Sequence, residues 1–416
     1  MKRTSGLGFI FITILIDVLG IGLLIPILPD FIAHLTHESL NAASRHYGVL
    51  LAIYGGMQFL FAPLLGMLSD RYGRRPVLLF SMLFSGIDYI IMAIAPNLIW
   101  LYVGRTLSGI SGGSFTAASA YIADVSPPEK RAQNFGIIGA AFGLGFIIGP
   151  AAGGALAHWG PRWPFWAAAI LCLINFLYGW LILPESLRLE NRASFNWRNA
   201  NPWGSLRILS KYPLVWGLTG TYVISNLAGQ FIGSTWVLFT MTRFGWDTSA
   251  TGISLAVFGV VSLIYQLWIA KWLLPLWGER KTILVTLAIG VVECLAYAFS
   301  TQGWMIYAII ILGGAGFLTM QATQGLLSRQ VGSDQQGALQ GALTSLASLS
   351  GVVGPVASTS LFAAFTLPSA PVYFPGVSFF GAAVLNAIAI LITLRAIKKM
   401  RLHEASVVGL QTAPAE

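Results

Sequence analysis

Twelve long apolar runs, separated by short polar stretches, decide what this 416-residue chain can fold into. They cover approximately residues 7–29, 47–68, 77–95, 98–123, 133–157, 164–183, 213–240, 249–275, 282–299, 304–325, 337–365 and 375–396. A helix that crosses a bilayer needs about 20 predominantly apolar residues, roughly 30 Å of length. Every run falls in or above that range. Pro96-Asn97 divides the third run from the fourth, because the pair favours a turn. Apolar residues make up 56% of the chain, charged ones 9%, and the mean hydropathy is +0.74, which no soluble fold of this size tolerates. The fold class is an all-α membrane protein.

Where charge is this scarce, its clusters are informative. Residues 66–76 read GMLSDRYGRRP, a short hinge between two apolar runs that gathers Asp70, Arg71, Arg74 and Arg75 around Gly73. Such side chains belong in a turn outside the lipid. With both termini placed in the cytoplasm, all but four of the 24 Lys and Arg residues fall on the cytoplasmic side. The exceptions are Arg45, Arg162 and Arg243 outside and Arg105 within a span. This is a strong positive-inside bias. It also accounts for the net charge of +9, so no nucleic-acid partner is expected. Lys2 and Arg3 ahead of an apolar stretch imitate a signal peptide, but Asp17 interrupts the stretch and no small-residue cleavage site follows; it reads as an uncleaved first span. Cys172 and Cys294 each stand alone in apolar helices, and His34, His37, His46, His158 and His403 lack ligand spacing. No disulfide framework, metal site or cofactor is expected. With no nucleophile–base set or phosphate loop either, the chain does not read as an enzyme.

The two halves repeat each other. A shift of 205 residues brings Gly73 onto Gly278, Arg75 onto Arg280, Gly136 onto Gly341, Gly149-Pro150 onto Gly354-Pro355, and Asp88 onto Glu293. Duplicated six-helix halves with a substrate site between them follow from that common offset. The expected division is a first bundle over 1–183, a cytoplasmic linker over 184–212, a second bundle over 213–396 and a tail over 397–416. Residues 202–211 of the linker read as a short amphipathic surface helix. Asp70 and Arg105 meet Pro275 and Ile310 in the repeat, so the first half carries more of the charge.

Asp17, Asp88, Arg105 and Glu293 lie well inside spans. An ionised side chain at the bilayer centre costs about 2.5–3.5 kcal/mol on insertion scales, so each should face a partner or a cavity. One static ion pair with Arg105 is the alternative to function, but three acids and one base cannot all pair. At least one carboxyl is left to take up a proton from one side and release it to the other. Polar side chains within spans supply the pocket candidates: Gln58, Asn226, Gln230, Ser262, Gln266, Gln321 and Gln324. For each, an ordinary hydrogen bond between helices is the competing role. Ser108, Gly112, Thr116 and Ser119 form a stripe of small residues that packing explains, and Trp236, Phe239, Phe244 and Trp246 read as an interfacial aromatic belt. The run GFIIGPAAGG, with Gly145, Gly149, Pro150, Gly153 and Gly154, loosens a helix and permits close contact.

The hinge resembles the signature between helices two and three of the major facilitator superfamily, and the Gly-Pro run resembles the fifth-helix motif of its antiporters. More narrowly, IDVLGIGLLIPILP at 16–29, YGVLLAIYGGMQFLFAPLLGMLSDRYGRRPVLL at 47–79, WVLFTMTRFGW at 236–246 and QQGALQG at 335–341 resemble the tetracycline/proton antiporters. The resemblance implies a major facilitator fold of twelve transmembrane helices in two pseudo-symmetric six-helix bundles. It implies that Asp17, Asp88 and Glu293 match membrane acids needed for transport, and that Gln58, Gln266 and Gln324 match polar positions near the substrate route. Asp70, Arg74 and Asp124 match a cytoplasmic latch that forms as the halves rock, with Asp70 near the start of the eleventh span. Two positions depart from the family pattern: the ninth-helix acid is Glu293 rather than Asp, and Ser262 stands where some members have histidine. A proton route through an imidazole at that position is not available to this chain.

The expected function is proton-coupled efflux of tetracycline-like drugs across a bacterial inner membrane by a chain that works as a monomer. Any divalent cation would travel as part of the drug chelate. Export of another drug or metabolite is the nearest alternative. An uptake symporter fits the Gly-Pro run less well, and a non-transporting receptor has little use for buried acids.

Overall fold

The computed structural model describes residues 4–112, 114–126, 131–187, 189–192, 213–330 and 336–411. The described residues are almost wholly helical. In the first half, α1 (Thr4–Leu24), α2 (Leu28–Thr36), α3 (Leu40–Tyr72), α4 (Arg74–Ile94), α5 (Leu98–Ser111), α6 (Ser114–Val125), α7 (Arg131–Ala157) and α8 (Trp163–Ile182) follow in order. The second half contains α9 (Pro213–Phe244), α10 (Thr248–Ile264), α11 (Ala270–Phe299), α12 (Gly303–Gly313), α13 (Leu318–Ser328), α14 (Gln336–Thr366) and α15 (Val377–Gln411).

These elements resolve into twelve crossings. Nine continuous helical stretches among the described residues are long and apolar enough to span a membrane, and one of them, Thr248–Phe299, is interrupted at Gly278. The pair α5 and α6 forms one further crossing, and α9 another. Pro26 and Pro29 explain why the first run breaks after Leu24 and resumes as α2, since proline cannot donate to the helical ladder. Ser39 caps α3, its hydroxyl accepting from the Ala42 N–H at 3.3 Å, and Asp247 caps α10 through the Ala250 N–H at 2.7 Å. Both caps sit outside the apolar runs, which is why α3 begins earlier than hydropathy predicts. The expected turn at Pro96-Asn97 separates α4 from α5. The amphipathic helix expected over 202–211 lies outside the described residues.

Gly73 and Gly278, one repeat apart, both have positive φ (108° and 68°), a conformation that glycine enters without a Cβ clash. The repeat thus reaches the backbone dihedrals. These two turns mark one end of the molecule, called here the hinge end.

The halves meet toward the opposite, far end. Asn41 Nδ2 donates to Thr366 O (3.1 Å), Thr242 Oγ1 donates to Asn41 Oδ1 (3.0 Å), and Ser44 Oγ donates to Thr359 O (3.4 Å). One apolar cluster at this end joins both halves through Leu23, Phe31, Leu50, Phe165, Trp236 and Phe379. Toward the hinge end, the first half packs around Phe9, Leu78 and Tyr121, and the second packs separately around Leu218, Ile283 and Leu343.

The Gly-Pro run sits at this joint and serves two neighbours. Gly145, Gly149 and Gly153, each four residues apart, lie against Val18, Gly22 and Leu23 of α1. On the other side, Pro150 O approaches Gly252 and Gly154 approaches Thr248 of α10, across the boundary between halves. A Cβ at Gly153 would meet the Leu23 backbone, with its Cα at 2.9 Å. Gly153→Val is therefore expected to destabilise the fold by about 1–3 kcal/mol, as overpacking does. A melting curve of purified protein checks this, and an unchanged midpoint would refute the packing account.

The belt expected of Trp236 and Phe239 is corrected by the structure. Their relative exposures are 2% and 0%. Trp236 Nε1 donates to Ser254 Oγ at 3.0 Å, and its ring meets Tyr297 edge-on at 5.2 Å. Lipid-facing and helix-facing positions are both apolar in a span, so sequence alone did not separate them. Phe244 and Trp246, whose rings meet at a tilt of 39° at the far end of α9, are only partly buried.

Candidate functional site

The first half gathers three of the four charges expected within spans. Asp88 on α4 is fully buried and pairs with the Arg105 guanidinium on α5. Arg105 also lies 3.1 Å from Met92 Sδ, and its guanidinium carbon is 5.6 Å and 5.9 Å from the ring centroids of Tyr54 and Tyr89. Asp17 on α1 is buried and close enough to act electrostatically on Tyr54 and Cys172. This cluster is densely contacted, with the Asp88 charge matched by a cation.

Glu293 occupies the repeat-related position on α11 and has different company. Arg105 is matched by Ile310, so the counter-ion is missing from the second half. Among the described residues Glu293 has no basic partner; its Oε1 accepts from Tyr297 Oη at 3.2 Å. The carboxyl lies over the tenth span, where a Cβ at Gly316 would come within 3.3 Å of Oε2. That span tightens locally: α12 ends at Gly313, a 3-10 turn covers Gly314–Phe317, and α13 continues from Leu318. In the fourth span α5 ends at Ser111, with Gly112 outside helical geometry, close to the corresponding level of the first half. Local departures from regular α-helix at mid-membrane are tolerated where they line a cavity.

Such a cavity, about 370 Å³, opens beside Glu293. Its polar edge is Ser225, Thr286, Thr319 and Asn386, and Phe258 and Phe317 give it an aromatic wall. Thr319 Oγ1 donates to Thr286 Oγ1 at 2.8 Å, while the buried Ser225 Oγ has no hydrogen-bond partner among the described residues. An apolar chamber with a few convergent polar groups and one carboxyl suits an organic molecule with an apolar body and a positive or hydrogen-bonding end. Of the transport and binding candidates named from sequence, Glu293 is the one among the described residues that lines it, with the lone Cys294 beside it. Asn386, within FFGAAVLNAIAIL, was detectable by the rule that found Asn226. Serine and threonine are too common in membrane helices for Ser225, Thr286 or Thr319 to stand out.

The remaining polar candidates form smaller networks. Gln58 Nε2 donates to Gly112 O at 3.3 Å, at the end of α5. Gln266 donates to Ser262 Oγ (2.5 Å) and accepts from Gln321 (3.3 Å), linking the eighth span to the tenth. Gln266 falls in a π-helical turn, Tyr265–Ile269, a distortion frequent at functional sites. Asn226 donates to Tyr222 O (3.0 Å) and approaches Met320 Sδ (3.6 Å). Gln230 lies against Gly354, and Gln324 is partly buried one helical turn beyond Gln321.

At the hinge end Arg74 binds Asp70, Asp124 Oδ2 (3.0 Å) and Ser69 Oγ (3.2 Å). Glu185, not anticipated from sequence, accepts from the Arg74 and Arg75 backbone N–H groups at 2.8 and 3.2 Å. It thereby caps α4 with negative charge at the favourable end of the helix dipole. Ser186 Oγ donates to Asp124 at 2.9 Å, Arg75 donates to Trp180 O at 2.6 Å, and Arg71 lies over the Tyr72 ring. All these groups belong to the first half or the chain leaving it. The expected Asp70–Arg74–Asp124 cluster is present, and all of its pairs lie within one half. The residues just before α14, where Asp70 was expected to dock, lie outside the described residues.

The family model described as the Major Facilitator Superfamily matches residues 10–355. Tetracycline resistance protein, class C, from Escherichia coli is 42% identical over 364 residues, covering 88% of this chain and 91% of that protein. Tetracycline resistance protein, class H, from Pasteurella multocida is 39% identical over 386 residues, covering 92% and 94%. Among solved structures, the human organic anion transporter MFSD10 (TETRAN) aligns with a TM-score of 0.70 at 22% identity over 94% of this chain and 100% of that one. The nucleoside transporter NupG aligns with a TM-score of 0.76 at 11% identity, over 96% and 100%. At those identities the structures speak for the fold alone.

Proposed function

The chain belongs to the Major Facilitator Superfamily, and from that premise we propose that it exports tetracycline-like drugs in exchange for protons. It is a multi-pass membrane transporter of small molecules. The observation that carries the coupling is Glu293: a carboxyl without a basic partner among the described residues, on the wall of a cavity large enough for a drug. In this reading its repeat mate Asp88 is held by Arg105 and keeps the first half together. Asp17 is the second candidate for proton traffic.

The cycle follows from where the halves touch. Bundles 1–183 and 213–396 rock about the far-end joint, with 184–212 as linker and 397–416 as tail. The positive-inside bias supports a cytoplasmic hinge end and cytoplasmic termini, in what this reading takes as a bacterial inner membrane. A drug cation enters from that side and is held by ionised Glu293, with Ser225, Thr319 and Asn386 binding its polar edge. After the far end opens, a proton arriving from outside neutralises the carboxylate and the drug cation leaves. The Arg74 cluster and Glu185 keep the hinge of the first half rigid throughout. A divalent metal chelated by the drug is part of the substrate, the protein holds no cofactor, and one chain in lipid suffices.

The test is tetracycline-driven proton movement in proteoliposomes. If a monocation leaves as one proton enters, no net charge crosses, and only the pH gradient drives export, about 1.4 kcal/mol or tenfold per unit. Imposed voltage should then have no effect, whereas net entry of one charge would add about 2.3 kcal/mol per 100 mV. Absence of any tetracycline-dependent proton flux by wild type would overturn the reading; flux with another cationic drug would keep the antiporter and change its substrate.

A further inference from the structure

Glu293 borders two spaces. Beyond the interior cavity, a second cavity of about 470 Å³ lies on the outer surface between the ninth and tenth spans. Val285, Ala288, Val292, Ile309 and Leu312 line it, and Val292 and Leu312 are 67% and 78% exposed, on a face that only lipid can cover in a membrane. Glu293 and Gly313 are the two residues common to both linings. A Cβ at Gly313 would lie 2.7 Å from Glu293 Cγ and 2.8 Å from its Oε1. With no side chain at 313, Glu293 packs directly against the tenth-span backbone and borders the lipid-side groove as well as the interior cavity.

We propose that this groove is a lateral binding site for a lipophilic cation dissolved in the bilayer, its apolar body against Val292 and Leu312 and its charge at Glu293. Charge complementarity selects the occupant. Every other side chain lining the groove is uncharged and apolar, so the carboxyl is the one polar anchor. A neutral lipid tail would leave that carboxyl uncompensated, and an anionic amphiphile would be repelled. Glu293 stands six residues before Phe299, about 9 Å of helix from the far end, which places it within the hydrocarbon layer rather than among headgroups. The site goes beyond tetracycline export: it adds a ligand class that arrives from lipid.

The test is equilibrium binding of tetraphenylphosphonium to the full chain in lipid nanodiscs. Wild type should show one saturable site. Leu312→Trp and Val292→Trp fill the groove from its lipid face, where folding tolerates bulk, and each should weaken binding at least tenfold. Glu293→Gln should do the same by removing the charge. Ser225→Phe fills the interior cavity instead and should leave the affinity within twofold. Absence of saturable binding, unchanged affinity in both groove variants, or loss of binding in Ser225→Phe would each overturn the proposal. Wild-type tetracycline exchange on the same preparation tests the export reading separately, since either can fail while the other stands.

Discussion

Glu293→Gln is expected to reduce tetracycline-driven proton release at least a hundredfold while leaving the protein folded. The amide keeps the shape of the side chain and can still accept from Tyr297 Oη, so the local packing persists. It can neither ionise to hold a drug cation nor accept the proton that displaces it. Asp88 cannot substitute, because Arg105 already neutralises it. Glu293→Asp should recover part of the rate, the shorter arm reaching the cavity less fully. Proton release and drug accumulation in proteoliposomes, measured on monodisperse protein, decide the matter. Undiminished exchange by Glu293→Gln would remove this residue from coupling and shift the role to Asp17.

The second large effect is on stability. Arg105→Ala should destabilise the protein by about 3–5 kcal/mol, because it strands the Asp88 carboxylate in a fully buried site. Removing both charges should be far milder, as replacing a buried ion pair with neutral groups often is. Asp88→Asn combined with Arg105→Ala is therefore expected to regain most of the lost stability. Thermal melting of the wild type, the two single variants and the double variant forms a complete cycle. A single Arg105→Ala variant as stable as wild type would show that the pair is not structural. A double variant that also regains exchange would confirm that Asp88 carries no proton in the cycle.

Most of the architecture was legible because lipid imposes it. A span must be long, apolar and helical, so twelve crossings could be read from hydropathy, and the turn between α4 and α5 from Pro96-Asn97. The duplication was legible from Gly73, Gly149-Pro150 and their counterparts, and matching positive φ at Gly73 and Gly278 carries it into the backbone. Caps outside the apolar runs, such as Ser39, escaped a reading based on hydropathy. The acids were visible for the same reason that they matter: charge in a span is expensive and hence rare.

What each acid does could not be read in this way. Asp88 and Glu293 are equivalent in the repeat, and sequence alone did not say which one Arg105 answers. Contacts across the fold decide it, through the Asp88–Arg105 pair and the cavity beside Glu293. Trp236 and Phe239 were misplaced because hydropathy is blind to whether a neighbour is lipid or helix, and Glu185 was missed because its partners are backbone N–H groups 110 residues away. By itself, then, the sequence determined the helices, their number, their duplication and the presence of buried charge, since those follow from the local cost of putting a chain in lipid. Only the tertiary structure decided which charges are paired, which one faces a cavity and where the halves touch, because these depend on side chains that meet across helices rather than along them.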